Sequence, residues 1–170
     1  RDIAALLALD LVGVTYKHAE APIYRQDDVK EMVRHSICLN FGEVFDIAPD
    51  IRITFYNAGH VLGSAMTHLN IGNGLHNLLY TSDMKFGKTR LLDAAVVDFP
   101  RLETEIIEST YGGRDDILPQ RKEAEDILLE KIRKTIENKG KVLIPELGLG
   151  RAQETMLILE DAFNQNLLPK

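Results

Sequence analysis

Three side chains of the sequence could together bind a metal ion and move protons. His60 lies between glycines in "NAGHVLGSA", Asp83 lies in "YTSDM", and Glu108 begins "ESTYGG". Imidazole and carboxylate groups are ligands for zinc and similar divalent ions. Structural zinc takes four protein ligands and catalytic zinc usually three. The sequence therefore predicts part of a metal site and is short of ligands for a whole one.

Each of these residues follows a segment whose pattern predicts a β-strand. Residues 51–57 alternate and are rich in β-forming residues, and residues 103–108 form a similar segment. Residues 65–82 predict a hairpin, because two strand-like runs flank an Asn-Gly pair. The charged loop 84–102 must then return the chain to the other end of the sheet. All three side chains are therefore expected at one edge of the sheet, where loops usually build sites.

The remaining chain is predicted to be mainly helical. Apolar spacing predicts four helices: residues 2–9, a helix that begins at Asp27, residues 119–140 and residues 148–163. Glycines mark the end of the third helix and the start of the fourth. Residues 36–47 are predicted to form two strands around Gly42, and residues 141–145 one short buried strand. The change from strand-rich to βα-like pattern places a domain boundary near residues 112–113.

Composition excludes several classes of protein. The 170 residues carry a net charge of −6, which argues against a domain that holds nucleic acid by charge alone. An enzyme with a local basic groove stays possible. The single cysteine, Cys38, allows no disulfide within the chain and is predicted to be a small buried residue. A cytoplasmic location is the simplest expectation, with no membrane-spanning segment.

Several cations lie close to the candidate ligands. Lys85, Lys88 and Arg90 follow Asp83 directly, and Arg151 begins a helix after two glycines. They are expected either to contact phosphate groups or to be a solvated loop and a helix cap. The residues themselves leave both interpretations open.

Purely structural roles for the three candidate residues also stay open on the residues alone. His60 could be a turn histidine, Asp83 a turn cap and Glu108 a cap at the end of a strand. The other histidines are predicted to be solvated or packing residues, because they lie away from the strand ends: His18, His35, His68 and His76.

Four motifs taken together resemble a known family. "NAGHVLGSA", "YTSDMKFGKTRLL", "ESTYGG" and "IPELGLGRAQE" look like successive motifs of the β-CASP branch of metallo-β-lactamase-fold nucleases. The similarity is greatest to the archaeal homologues of the cleavage and polyadenylation specificity factor endonuclease. It implies an α/β fold: the second part of an αββα metallo-β-lactamase domain over residues 1–112, then the start of an α/β β-CASP domain over residues 113–170.

The resemblance also implies residue roles. His60 matches a zinc ligand, Asp83 matches a catalytic aspartate that bridges two zinc ions, and Glu108 matches a catalytic-site glutamate that supports a histidine. The implied activity is zinc-dependent hydrolysis of RNA phosphodiester bonds in RNA 3′-end processing, as an endonuclease and in some members as a 5′–3′ exonuclease. The implied partners are RNA and, in the complete protein, a second copy as a homodimer.

Two family motifs do not occur in the sequence. The H-x-H-x-D-H motif is expected before Arg1 and two further histidines after Lys170, so this chain alone is expected to be inactive. Two alternatives stay open. One is a catalytically inactive relative that acts as a scaffold or RNA-binding subunit. The other keeps the fold but acts on DNA.

Overall fold

The structure is a computed structural model that describes residues 1–169, and it divides into two compact units. The first unit spans residues 1–40 and the second begins at Phe41. None of the helices formed by the described residues is long and apolar enough to cross a membrane.

The first unit is a pair of helices. Helix α1 spans Asp2–Lys17 and helix α2 spans Gln26–His35. Each helix has one buried side chain, Val12 in α1 and Val29 in α2. Cys38 is exposed, so its predicted burial is wrong. It lies in the irregular segment that follows α2, where no element packs over it within this unit.

The second unit contains a five-stranded mixed sheet, and its strands adjoin one another in chain order. The strands are β1 (Val44–Ala48), β2 (Ile51–Asn57), β3 (Ala65–Ile71), β4 (His76–Tyr80) and β5 (Thr104–Ile106). The first three pairings are antiparallel and the pairing of β4 with β5 is parallel. Strands β2, β4 and β5 therefore run in the same direction, as predicted.

The hairpin between β3 and β4 turns where the Asn-Gly pair predicts. Asn73 and Gly74 have φ values of 54° and 99°, a conformation that asparagine and glycine adopt with little strain. This turn sets the register in which Leu69 lies opposite Leu78. The hairpin thus carries the end of β4, and Asp83 after it, to the same edge as the end of β2.

The segment 84–102 covers one face of the sheet. Met66 and Leu79 are almost fully buried and pack with Ala58 and Ala95, and further apolar side chains close the cluster: Tyr56, Met84, Val96, Phe99 and Leu102. The rings of Tyr56 and Phe99 meet edge to face with centroids 5.2 Å apart. The segment that the sequence predicts to be a charged loop is therefore also an apolar cover of the sheet. Its packing on the sheet holds both ends of the segment in place.

Two helices follow the sheet. Helix α3 spans Arg121–Glu137 and helix α4 spans Arg151–Asn164. They pack through Ile132, Ala162 and Leu168, with Ile144 against this cluster. The boundary predicted near residues 112–113 falls within the second unit and stays a prediction.

Two predicted strands are wrong. Residues 141–145 are irregular, and so is the segment 36–42 before β1. A strand needs a neighbouring strand with which to pair, and within residues 1–169 neither segment has one. Leu143 is 93% exposed, whereas Ile144 packs against α3 and α4. Of this apolar run, only Ile144 therefore contributes to the packing of the two helices.

Candidate functional site

The ends of β2 and β4 bring His60 and Asp83 together. The His60 Nε2 atom and the Asp83 Oδ2 atom are 4.0 Å apart. Their side chains are 38% and 70% exposed, so both are open to solvent. The predicted meeting of these two residues at one sheet edge is therefore what the structure shows.

His60 lies in a loop that backbone hydrogen bonds hold closely. The Ser64 hydroxyl accepts hydrogen bonds from the amides of His60 and Val61, both at 3.1 Å. Gly59 has a φ of 68°, and a Cβ atom at this position would lie 2.7 Å from the Ala95 nitrogen and 2.8 Å from the Lys85 carbonyl oxygen. Only glycine fits there. The His60 loop is therefore built around a close approach of the segment that follows Asp83.

Asp83 follows a rigid strand end but carries a free carboxylate. Thr81 is 1% exposed, and its hydroxyl accepts a 3.2 Å hydrogen bond from the Glu108 amide. Ser82 turns the chain with a φ of 55°. The Asp83 carboxylate accepts no hydrogen bond from any residue in the described part of the chain. Its lone pairs are thus available to a ligand from outside.

Glu108 closes the same edge from β5. One carboxylate oxygen accepts a 2.9 Å hydrogen bond from the Met84 amide, and the other a 3.2 Å bond from the Thr110 amide. Hydrogen bonds from Thr110 and the Met84 amide lower the pKa of Glu108, with a smaller contribution from the nearby His60. Glu108 is therefore an ionised carboxylate at neutral pH, and it ties the strand end to the residue after Asp83.

His60 and Asp83 fit part of a zinc site. Two ligands on one tetrahedral zinc lie roughly 3.4 Å apart, given zinc–ligand distances near 2.1 Å. The observed 4.0 Å separation needs only a small movement of two exposed side chains. Residues 1–169 contain no group of three or more histidine, cysteine, aspartate or glutamate side chains placed to hold a metal. The chain therefore offers two ligands, and a complete site needs others.

The four predicted phosphate contacts divide into two pairs. Lys88 forms a 2.8 Å ion pair with Asp93, and the Arg90 guanidinium binds Glu125 at 2.9 Å and also Asp161. Lys85 and Arg151 form no ion pair within residues 1–169. Burial lowers the pKa of Lys85, and the charge of Arg151 lowers it further. Of these four cations, Lys85 and Arg151 are therefore the two without an ion pair among the described residues.

A set of five charged residues was not anticipated from the sequence. We call it the arginine cluster: Arg90, Arg121, Glu125, Glu154 and Asp161. Burial acts to raise the pKa of Glu125, but the hydrogen bonds and charges of Arg90 and Arg121 outweigh it, and the net pKa is lowered. The spacing of Arg121 and Glu125, four residues apart on one helix, is the only local signal of this cluster.

The other histidines are surface or packing residues. His18, His35 and His76 are exposed. His68 is 5% exposed, and its ring packs edge to face against Tyr56 with centroids 6.2 Å apart. The prediction that these four are surface or packing residues is confirmed.

Known proteins resemble the chain along nearly its whole length. No family model matches it. It is 54% identical over 161 residues to a protein of Pyrococcus abyssi named transcription termination factor FttA. It is 52% identical over 167 residues to a protein of that name from Methanocaldococcus jannaschii, and 45% identical over 170 residues to one from Lokiarchaeum.

These alignments cover 95% to 100% of the chain but only 25% to 27% of each relative. The chain thus spans about a quarter of the length of the curated relatives it matches. It is homologous to one segment of archaeal proteins named transcription termination factor FttA.

Proposed function

We propose that this chain is a segment of a zinc-dependent ribonuclease that cuts RNA at the ends of transcripts. The observation that carries the proposal is the meeting of His60 and Asp83, 4.0 Å apart at the ends of two strands that run in the same direction. The resemblance of the motifs to β-CASP nucleases of the metallo-β-lactamase fold supports the same activity. The name of the relatives adds the process, which is termination of transcription.

In this proposal His60 and Asp83 hold zinc together with ligands from other parts of the full-length protein. Bound zinc supplies an activated water and stabilises negative charge on the phosphate. The residues of this chain place the two ligands on rigid loops, because the Ser64 hydroxyl and the buried Thr81 hold the backbone beside each. Preorganised ligands need no rearrangement when the substrate binds.

Glu108 has a supporting role in this proposal. Each of its oxygens accepts one backbone hydrogen bond, and a carboxylate oxygen has two acceptor positions. A free position remains for the N–H of a histidine from elsewhere in the full-length protein. Such a contact would set the tautomer with which that histidine donates a proton.

Lys85 and Arg151 would hold the RNA backbone. Both are free of ion pairs within residues 1–169, and burial, followed by repulsion from the charge of Arg151, lowers the pKa of Lys85. A phosphate between them relieves this repulsion. Contacts of this kind position a nucleic acid without selecting its bases.

One alternative function is RNA binding without cleavage. The relatives' name states termination and does not state hydrolysis. A protein that uses the same surface to grip the transcript would need Lys85 and Arg151 but not His60 and Asp83. The two functions therefore differ in which side chains are essential.

Cleavage of a radiolabelled transcript by the full-length protein distinguishes them. We expect His60→Ala and Asp83→Ala to reduce the rate by at least about 1,000-fold, which corresponds to the several kcal/mol that a metal contributes to transition-state stabilisation. His18→Ala and Asp98→Ala, at exposed positions, should keep the wild-type rate. Retained cleavage in the first pair would refute the metal site. Binding without cleavage by the wild type would favour the alternative.

A further inference from the structure

The carboxylate of Glu154 holds a distant loop at two points and the first residue of α3 at a third. One oxygen accepts a 2.9 Å hydrogen bond from the Arg90 amide, and the other a 3.2 Å bond from the Leu91 amide. The Arg121 guanidinium binds the same carboxylate. The Glu154 side chain is only 14% exposed. A carboxylate so enclosed makes strong, charge-assisted bonds, and its loss leaves two amides without their acceptor.

The loop that Glu154 holds begins immediately after Asp83. Its first part is attached to the His60 loop, because the Lys85 amide donates a 2.9 Å hydrogen bond to the Ala58 carbonyl. Its second part is attached to α4 through Glu154. The segment 84–92 is thus fixed at both ends, and Asp83 is the residue from which it starts.

Helix α4 also contacts the His60 loop. A Cβ atom on Gly150, the residue before the first turn, would lie 3.1 Å from the Cγ1 atom of Val61. Arg151 stands three residues before Glu154 on the same helix. The first turn of α4 therefore touches both loops that carry the proposed zinc ligands, and it carries one of the two free cations.

We propose that Glu154 is a positioning residue that sets the place of Asp83 relative to the His60 loop. The inference rests on the proposed function for its catalytic consequence. Glu154 touches no reacting group in this account; it acts through the Arg90 and Leu91 amides. Without it the segment 84–92 opens more often, Asp83 holds zinc less firmly, and the chemical step slows.

The test uses the full-length protein and three variants. Glu154→Ala removes the acceptor, and Glu154→Gln keeps one carbonyl oxygen without the charge. Glu160→Ala is the matched control, because Glu160 is exposed on the same helix and its side chain makes no hydrogen bond or ion pair with any described residue. Amide hydrogen exchange of the peptide 84–93, zinc retention against a chelator, and kcat and KM for RNA cleavage are measured for each.

We expect the 84–93 peptide of Glu154→Ala to exchange at least about tenfold faster and zinc to be released about tenfold more readily, in line with the effect of removing a residue that supports a metal ligand. The kcat should fall about 10- to 100-fold while KM changes little, and Glu154→Gln should be intermediate. Glu160→Ala should match the wild type. If Glu154→Ala is insoluble, Glu154→Gln decides the same comparison.

Unchanged exchange at 84–93 would overturn the proposal, and so would faster exchange with unchanged zinc retention. A rise in KM with unchanged kcat would also overturn it, because that pattern indicates RNA contact rather than positioning. If the wild type cleaves no RNA, the proposed function fails. The positioning role is then still decided by exchange and zinc retention.

Discussion

The strand-end site and the arginine cluster lie in the same unit and satisfy their charges in opposite ways. In the arginine cluster, carboxylates that are 14% and 17% exposed, those of Glu154 and Glu125, meet two guanidinium groups. At the strand ends, the Asp83 carboxylate is 70% exposed, and the only charged or imidazole group near it among the described residues is His60, 4.0 Å away. The first arrangement uses charge to join a loop to two helices.

The second arrangement keeps charge available on a rigid backbone. Gly59, Ser64 and Thr81 hold the chain on either side of His60 and Asp83, while the side chains of these two candidate ligands stay open to solvent. The carboxylates that join elements of the fold are paired within the chain, whereas the carboxylate of the candidate ligand Asp83 is open to solvent. This difference gives the following expectations.

The largest effect is expected at Gly59. Gly59→Ala must combine a left-handed conformation with a Cβ atom less than 3 Å from two backbone atoms. We expect the free energy of local opening of residues 57–64 to fall by about 3 kcal/mol or more, measured by native-state hydrogen exchange of the full-length protein. Gly63→Ala has a similar φ of 81° but nothing within 4 Å, so it should cost only about 1 kcal/mol. Equal losses would contradict the close-approach argument.

The arginine cluster should respond next. Arg121→Met removes the partner of two partly buried carboxylates, Glu125 and Glu154. We expect the free energy of local opening of α3 and α4 to fall by about 1–2 kcal/mol, less than for a fully buried pair. Lys88→Met breaks an exposed ion pair with Asp93. It should lower the free energy of local opening of α3 and α4 by less than about 0.5 kcal/mol. A loss in Lys88→Met as large as that in Arg121→Met would erase the distinction between the two kinds of pair.

RNA affinity should separate the free cations from the paired ones. Lys85→Met and Arg151→Met should each lower the salt dependence of RNA binding by about one phosphate contact and weaken binding severalfold. Lys88→Met should leave the salt slope unchanged, because Asp93 already neutralises this lysine. The measurement is a titration of labelled RNA at several salt concentrations. A change of slope in Lys88→Met alone would reverse the assignment.

The smallest expected effect is a loss of stability of the arginine cluster at acid pH. The pKa of Glu125 is lowered in the folded chain, so its contribution is complete above the unfolded-state pKa and is lost as pH falls through the folded-state pKa. We expect the opening free energy of α3 to decline between about pH 5 and 3. Glu125→Gln should flatten this decline, whereas Glu123→Gln, at an exposed position of the same helix, should not. An unchanged slope in Glu125→Gln would refute the contribution of this carboxylate.

Local patterns were enough to predict that His60 and Asp83 meet at the strand ends. Alternation gave β2, the Asn-Gly pair gave the hairpin, and the reversal of direction then placed Asp83 beside His60. These signals act over a few residues, and the antiparallel pairing that follows leaves little freedom in register. The exposure of Cys38 and the absence of a strand at 141–145 were missed, because both depend on which element packs or pairs nearby.

The arginine cluster could not be predicted in the same way. Arg90 binds partners 35 and 71 residues further along the chain, Glu125 and Asp161. In sequence it looks like Lys88, a cation in a charged loop. Only the packing of α3 and α4 beside the segment 84–92 shows that one cation is committed to the fold and another, Lys85, is free.

Zinc content is the most direct test of the central claim that His60 and Asp83 are metal ligands. The full-length protein would be purified without chelators, and zinc per chain would be measured for the wild type, His60→Ala, Asp83→Ala and the control Asp98→Ala. We predict about two zinc ions per chain in the wild type and control, as in two-metal hydrolytic sites, and a loss of at least about one ion in His60→Ala and in Asp83→Ala. The same zinc content in all four proteins would contradict the account.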